Sequence, residues 1–233
     1  MTKNIAHRGY SARYPENTML AFEKASKYDG IELDVHMSKD GHIIVIHDET
    51  VNRTTNGKGM VKDMTLTELK SLEINMDQRI PTFDEYLCFW EKTSLLTNIE
   101  LKNDIIPYEG MEERVIAAVR ARGLEHRTIL SSFNHLSIMK CKAIAPEIPC
   151  AFLTYAWLID VGAYTKRHGI GFVHPLYTSL TDEAIKEIHS NGIAINPYTV
   201  NDPKEMKRLI SHKVSGIITD DPELLNNVIE TMN

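Results

Sequence analysis

Two apolar segments of the sequence carry charged residues at every second position. In the first, Glu32 and Asp34 alternate with isoleucine, leucine and valine; in the second, Glu100 and Lys102 alternate with isoleucine and leucine. Successive side chains of a β-strand point to opposite faces, so the charged residues of each segment share one face and the apolar residues share the other. If the apolar face meets surrounding helices, the pattern predicts two strands that point three carboxylates and one ammonium group inward.

Three inward carboxylates require a compensating positive charge, because burying an unpaired carboxylate costs several kcal/mol. Oxygen ligands without cysteine or a paired-histidine motif suit Mg²⁺ or Ca²⁺ better than zinc. We therefore predict a divalent cation site, Mg²⁺ or Ca²⁺, at Glu32, Asp34 and Glu100. The spacing alone also allows a salt-bridged interior, with Glu100 paired to Lys102 and Glu32 to an arginine.

His36 continues the spacing of Glu32 and Asp34 and is a further candidate ligand. A turn signal follows it at Ser38-Lys39-Asp40-Gly41. We therefore expect His36 to lie beyond the end of the strand and leave it out of the ligand set.

Two other histidines, His7 and His47, stand at the ends of predicted strands. The pKa of histidine lies near neutrality, so these residues could serve as general acid and general base. Arg8 follows His7 and precedes a glycine, and its guanidinium could bind phosphate oxygens. Each histidine taken alone is better explained by hydrogen bonds at a strand end, and Arg8 has a surface salt bridge as its alternative explanation.

The elements that would position these residues follow a regular alternation. From residue 95 onward, short apolar runs alternate with segments of helical periodicity, which indicates repeated parallel βα units. The later strands are predicted at 95–102, 128–133, 149–154, 171–175, 193–200 and 216–220, and the two earlier principal strands at 4–9 and 30–35. Eight such strands favour a closed α/β barrel, the (β/α)8 TIM barrel, which usually has about 250 residues. An open doubly wound sheet is the alternative.

Residues 48–81 interrupt this alternation. They are polar, contain Asn56-Gly57-Lys58-Gly59, and show one short helix signal at 65–72. We interpret this segment as a small insertion after the second strand region and near the site, within a single domain that spans residues 1–233.

Composition limits the classes of partner. The chain has 233 residues, of which 42% are apolar and 25% charged, and its formal net charge is −6. An acidic chain lacks the basic face that neutralises a phosphate backbone, so we expect no nucleic-acid partner. It contains no run of about 18 apolar residues, and a strand-like segment follows the first four residues directly, so we expect a cytoplasmic protein without stable membrane insertion. The oligomeric state stays open, and a homo-oligomer is compatible with the sequence.

The ordered motifs of the chain resemble the glycerophosphodiester phosphodiesterase family almost from end to end. In its first quarter these are His7-Arg8-Gly9, the Pro-Glu-Asn-Thr of 15–18, Glu32-Leu33-Asp34, and the long segment 47–59 that begins His-Asp-Glu-Thr. Later motifs follow in the expected order at 80–85, 100–102, 132–133, 198–201 and 216–222. One departure is Tyr198, where many relatives have tryptophan.

The resemblance implies a barrel of the phospholipase-C-like phosphodiesterase type with a small insertion over its mouth. It implies that Glu32, Asp34 and Glu100 bind a divalent cation. It also implies that His7 and His47 act as acid and base, and that Arg8 and Lys102 contact the phosphate. The expected reaction is the hydrolysis of small-molecule glycerophosphodiesters to glycerol 3-phosphate and an alcohol. By analogy with the family, the glycerol 2-hydroxyl is the expected nucleophile, giving a cyclic phosphate that water opens.

Two other functions remain as alternatives. A phospholipase C or D of similar design would act on intact lipid and would need an apolar rim, of which residues 48–81 offer little. A non-catalytic phosphodiester-binding protein would keep the same residues without turnover. The head group of the substrate is not indicated by the sequence.

Overall fold

Eight parallel strands line the interior of the molecule, and a ninth short strand pairs with one of them. The computed structural model describes residues 1–232. The strands are β1 (Lys3–His7), β2 (Gly30–Met37), β3 (Ile43–Val45), β4 (Leu96–Leu101), β5 (Thr128–Ser132), β6 (Cys150–Thr154), β7 (Phe172–Pro175), β8 (Ala194–Ile195) and β9 (Gly216–Thr219). Their spatial order is β8-β7-β6-β5-β4-β2-β1-β9, and β3 pairs antiparallel with β2.

Backbone hydrogen bonds between the segments around β8 and β9 close this sheet into a barrel. Ser215 N donates to Ile195 O at 2.9 Å, and Ile218 N donates to Pro197 O at 3.0 Å. Val200 N donates back to Ile218 O at 2.9 Å. The predicted (β/α)8 barrel is therefore confirmed, and the open doubly wound sheet is excluded.

Helices occupy the connections between the strands. They are α1 (Met19–Ala25), α2 (Leu66–Ser71), α3 (Phe83–Trp90), α4 (Met111–Arg120), α5 (His135–Ile144), α6 (Val161–Arg167), α7 (Asp182–Ser190), α8 (Pro203–Ser211) and α9 (Pro222–Met232). Side-chain caps fix where several of them begin. Thr65 with Glu68 and Thr82 with Glu85 form complete capping boxes at α2 and α3. None of the helices in residues 1–232 is long and apolar enough to cross a membrane.

The apolar face of the barrel strands meets the helices, as the alternating pattern predicts. Ile31, Leu33 and Val35 of β2 are fully buried in one cluster that also contains Phe22 of α1 and Trp90 of α3. This packing leaves the other face of β2 for the barrel interior. Because the apolar residues of the strand face the helices, its charged residues face the barrel interior.

Two predicted elements are longer than the observed ones. The predicted strand at 193–200 is a regular strand only at Ala194–Ile195. Pro197 has no N–H to donate to a sheet, although its carbonyl and the N–H of Val200 still bond to Ile218. The first helix, which the sequence predicts at 15–27, spans Met19–Ala25; it begins at Met19 because the Thr18 side chain accepts a hydrogen bond from Ala21 N and so caps the helix there.

Residues 48–81 contain α2 and pack around a small apolar cluster of their own. Val51, Val61 and Leu69 are fully buried in that cluster, together with Ile44 and Ile46 from the end of the β3 region. The segment is therefore tied to the barrel through the chain that leads out of β3.

Candidate active site

Three carboxylates converge from two adjacent strands. Glu32 and Asp34 lie on β2, Glu100 lies on β4, and the parallel register places Asp34 beside Glu100. One oxygen from each lies within 4.8 Å of the others. All three residues are buried. The structure thus brings together the three residues that the alternating pattern placed inward.

Two cations and several hydrogen bonds partly compensate this negative charge. Lys102 Nζ lies 2.9 Å from Glu100 Oε1, and Arg8 Nε lies 3.3 Å from Asp34 Oδ2. The backbone N–H of Arg8 donates to Glu32 Oε2 at 3.0 Å. The salt-bridged arrangement and the carboxylate cluster therefore coexist, and three carboxylates face two side-chain cations.

This environment shifts the pKa values of the three carboxylates in different directions. Burial, with repulsion from Asp34 and Glu100, raises the pKa of Glu32 well above its ordinary value. Burial also raises the pKa of Glu100, although Lys102 opposes the shift. For Asp34 burial acts in the same direction, but the neighbouring positive groups, Arg8 foremost, hold its pKa below the usual range. Uncompensated negative charge is therefore greatest at Glu32.

A hard divalent cation fits this cluster. All three donors are carboxylate oxygens, the ligand type that Mg²⁺ and Ca²⁺ prefer. The buried Glu32 Oε1 has no hydrogen-bond partner among residues 1–232. A bound cation would compensate the charge of a carboxylate that is buried beside two others and has an unpartnered oxygen.

His7 stands at the end of β1 with its two ring nitrogens in different surroundings. Nδ1 lies 2.6 Å from Asp220 Oδ1, and Nε2 lies 3.9 Å from Glu32 Oε2. Asp220 also accepts hydrogen bonds from Ser11 Oγ and Asn201 Nδ2. Although burial opposes ionisation, His7 foremost, with Asn201 and Ser11, lowers the pKa of Asp220 to about 2. An ionised Asp220 favours a proton on Nδ1 of His7 and leaves Nε2 facing the cluster.

His47 follows β3 and has a parallel arrangement. Its Nδ1 lies 2.7 Å from Asp48 Oδ1, and its Nε2 lies 3.4 Å from Lys102 Nζ. Asp48 in turn accepts two hydrogen bonds from Arg53, each at 2.8 Å. Hydrogen bonding to Arg53 is the main reason that the pKa of Asp48 lies well below its usual range. Both histidines are therefore oriented by an ionised aspartate.

Arg53 links this arrangement to Arg8. Its guanidinium donates to both oxygens of Glu16 at 2.7 Å, and Glu16 Oε1 also accepts from Arg8 Nη1 at 2.8 Å. The ion pairs form a continuous path from Arg8 through Glu16, Arg53 and Asp48 to His47. The sequence patterns assigned no role to Glu16, Asp48, Arg53 or Asp220, although motifs of the family resemblance contain all four.

Backbone conformation helps to place Arg8. Its φ is 55°, and that of the following Gly9 is 79°, so both residues adopt left-handed conformations. A Cβ at Gly9 would lie 2.7 Å from the backbone of Ala21, so only glycine allows the turn to pack against α1. The turn directs the backbone N–H of Arg8 at Glu32 and its side chain at Asp34.

The prediction that His36 lies beyond the strand is wrong, because β2 continues to Met37 where it pairs with β3. Its Nδ1 lies 3.0 Å from the hydroxyl of Tyr108, and its Nε2 lies 2.9 Å from the backbone oxygen of His47. Burial lowers the pKa of His36, which favours the neutral ring. His36 thus supports the backbone of His47 and does not join the carboxylate cluster.

Aromatic rings form a wall beside the cluster. Lys102 Nζ lies 5.9 Å from the ring centroid of Phe133, which contacts the ring of Tyr198 at 6.1 Å. Tyr198 is fixed by a hydrogen bond from its hydroxyl to Thr154 O. The wall offers a flat apolar surface to the organic part of a ligand whose charged group lies at Lys102.

Comparisons with known proteins agree with these observations. Residues 7–224 match the model of the glycerophosphoryl diester phosphodiesterase family. A protein of Caldanaerobacter subterraneus named glycerophosphodiester phosphodiesterase is 43% identical over 97% of this chain and 96% of its own.

Solved structures give the same result for the fold. A crystal structure from Agrobacterium tumefaciens has a TM-score of 0.92 at 23% identity over 100% of both chains, a likeness that concerns the fold alone. An Oleispira antarctica phosphodiesterase, solved with the product sn-glycerol-3-phosphate, has a TM-score of 0.86 at 28% identity over 97% of this chain and 96% of its own.

Proposed function

The chain belongs to the glycerophosphoryl diester phosphodiesterase family and is a phosphodiesterase, and from this premise we propose that it hydrolyses glycerophosphodiesters by metal-dependent acid–base catalysis. The products are glycerol 3-phosphate and the head-group alcohol. One observation carries the proposal: two histidines, each bonded to an aspartate through Nδ1, point Nε2 at the carboxylate cluster and its lysine. We also propose that residues 1–233 form one domain into which about residues 48–81 are inserted.

Glu32, Asp34 and Glu100 would hold the cation, Mg²⁺ or Ca²⁺. When bound, such an ion stabilises negative charge that develops on phosphoryl oxygens. The unpartnered Oε1 of Glu32 supports this ligand set.

Arg8 and Lys102 would bind the phosphate of the diester. Lys102 is buried, yet Glu100 and Asp34 raise its pKa, so it stays protonated at neutral pH. Arg8 is held by Glu16 and Asp34, which leaves its planar fork in a fixed position. Both cations can therefore stabilise charge in the transition state without first being ordered.

His7 and His47 would transfer the protons. One accepts the proton of the attacking hydroxyl at Nε2, and the other donates a proton to the oxygen of the departing head group. We propose that the glycerol 2-hydroxyl attacks phosphorus, so that its new bond to phosphorus forms as the head-group bond breaks. Water then opens the cyclic phosphate while the two histidines exchange roles.

A turnover assay tests the proposal against a purely binding role. Purified protein with Mg²⁺ or Ca²⁺ should release glycerol 3-phosphate from at least one of the glycerophosphodiesters of choline, ethanolamine, glycerol and inositol. The release is measured with glycerol 3-phosphate dehydrogenase. Tight binding of these diesters without release would instead identify a binding protein.

A further inference from the structure

Most of the exposed large apolar side chains of this protein lie in one place. Of the nine such side chains in residues 1–232, six belong to the three loops and helix starts that follow β4, β5 and β6. We call this set the apolar rim: Ile105, Leu136, Tyr155, Trp157, Leu158 and Ile159. Exposure reaches 82% at Leu136, 70% at Trp157 and 90% at Ile159.

The rim lies at the mouth of the barrel. The strands β4, β5 and β6 are neighbours in the sheet, and all rim residues follow their C-terminal ends. The carboxylate cluster and His7 lie at the same end of the barrel, where barrel enzymes place their active sites. The rim therefore borders the opening through which substrate must enter.

Aromatic contacts connect the rim to the catalytic residues. The ring of Tyr155 lies 5.8 Å from that of Phe133, and Phe133 lies beneath Lys102 Nζ at 5.9 Å. Aromatic contacts thus run from the proposed phosphate-binding lysine through Phe133 to Tyr155 of the rim. A substrate with its phosphate at Lys102 could extend an alkyl chain along these rings.

The composition of the rim suits a lipid surface. Protruding tryptophan and tyrosine prefer the boundary between head groups and acyl chains, and isoleucine and leucine enter the apolar layer. Segments 103–110, 133–136 and 155–160 carry Asp104, Glu109 and Asp160 but no lysine or arginine. This charge pattern favours a zwitterionic surface over an anionic one. A second copy of the chain on this face would cover the mouth and bring like charges together.

We propose that the rim docks on a zwitterionic lipid surface and that the enzyme hydrolyses monoacylated glycerophosphodiesters, the lysophospholipids, within it. The inference rests on the proposed function, since the reacting atoms are the same.

The free 2-hydroxyl of the lysophospholipid forms the new bond to phosphorus and gives its proton to one histidine. The head-group oxygen leaves with a proton from the other, and water opens the cyclic phosphate to give a lysophosphatidic acid. Residues 48–81 offer little apolar surface. This does not argue against lipid binding, because the apolar rim lies in three other loops.

The proposal is tested with the full chain and two variants. Trp157→Ser/Ile159→Ser removes two rim side chains, and Met76→Ser removes an exposed apolar side chain outside the rim. The parent and Met76→Ser should co-sediment with phosphatidylcholine vesicles and hydrolyse micellar lysophosphatidylcholine. The double variant should lose at least about tenfold in vesicle binding and in lysophosphatidylcholine hydrolysis. The reason is that two apolar side chains are no longer transferred from water into the lipid. Hydrolysis of glycerophosphocholine by the double variant should stay unchanged.

The outcomes separate this inference from the proposed function. Hydrolysis of glycerophosphocholine without turnover of lysophosphatidylcholine, with or without vesicle binding, overturns the inference and leaves the proposed function intact. Failure on both substrates overturns the proposed function. Binding only to phosphatidylserine vesicles, or a parent dimer that the double variant abolishes, would show that something other than a zwitterionic lipid covers the rim.

Discussion

His7 and Asp220 are 213 positions apart in the chain, yet Nδ1 of the first lies 2.6 Å from Oδ1 of the second. His7 ends the first barrel strand, and Asp220 directly follows the last one. The parallel pairing of β1 with β9 therefore assembles the pair. Any change that weakens this pairing should also disorder the imidazole.

We expect Asp220→Asn to reduce kcat by about 10² or more, because an amide neither fixes the tautomer of His7 nor stabilises its protonated form. KM should change little, since Asp220 acts through the imidazole of His7. Steady-state kinetics on a glycerophosphodiester measure both constants. Asp84→Asn, whose carboxylate is 76% exposed on α3, is the control and should behave as the parent. A change in KM alone would assign Asp220 to substrate binding.

We expect a chelator to abolish activity and Mg²⁺ or Ca²⁺ to restore it. In the metal-free protein, Glu32→Gln should raise the free energy of unfolding by about 1 kcal/mol or more, since it removes a buried charge that two cations do not neutralise. The same variant should lose the stabilisation that the parent gains on adding metal. Thermal unfolding with and without cation measures both effects. Full activity after exhaustive metal removal would show that no cation takes part.

Arg53 should act on the site without touching substrate. It pairs Glu16 with Asp48, so Arg53→Ala should loosen both Arg8 and His47 and reduce kcat/KM by about tenfold or more. Arg53→Lys should recover little of the kcat/KM lost in Arg53→Ala, because a single ammonium group cannot replace two bidentate contacts. Arg79→Ala removes another ion pair of the inserted segment, with Glu73, and serves as the control. A double-mutant cycle with Glu16→Ala should show strong coupling, and additive effects would argue against the path through Glu16.

Local pattern was enough to place the carboxylates, because a period of two fixes which residues of a strand share a face. Glu32, Asp34 and Glu100 are found together for that reason. The same reasoning failed for His36, since pairing with β3 extends β2 to Met37, directly before the predicted turn at 38–41. Asp220 and Arg53 were not assigned roles, because their partners are set by tertiary contacts between distant segments. The rim is likewise invisible in sequence, where an apolar loop residue cannot be told from a buried one.

His7→Ala and His47→Ala should each reduce turnover by about 10² to 10⁴, the range typical of general acid or base catalysis. Product binding should change much less. A substrate with a nitrophenolate leaving group needs little protonation, so it should rescue the variant that lacks the acid and not the other. Comparing both variants on both substrates identifies the acid. An equal loss of turnover in all four combinations of variant and substrate would contradict separate acid and base roles.

The last prediction concerns the nucleophile. A hydroxyl tethered beside phosphorus reacts with a high effective molarity, whereas a free water has to be ordered by the protein. A glycerophosphodiester whose 2-hydroxyl is methylated should therefore bind about as well as the natural diester at Arg8 and Lys102 but turn over far more slowly.

With the natural diester, a variant that slows the second step, either His7→Ala or His47→Ala, should accumulate a cyclic glycerol phosphate that phosphorus NMR detects. Binding of the methylated diester is measured separately by competition, so that weak binding is not mistaken for blocked chemistry. Hydrolysis of the methylated diester at the parent rate would make water the direct nucleophile. The two histidines would then activate that water and protonate the head group in a single displacement, and no cyclic intermediate would form.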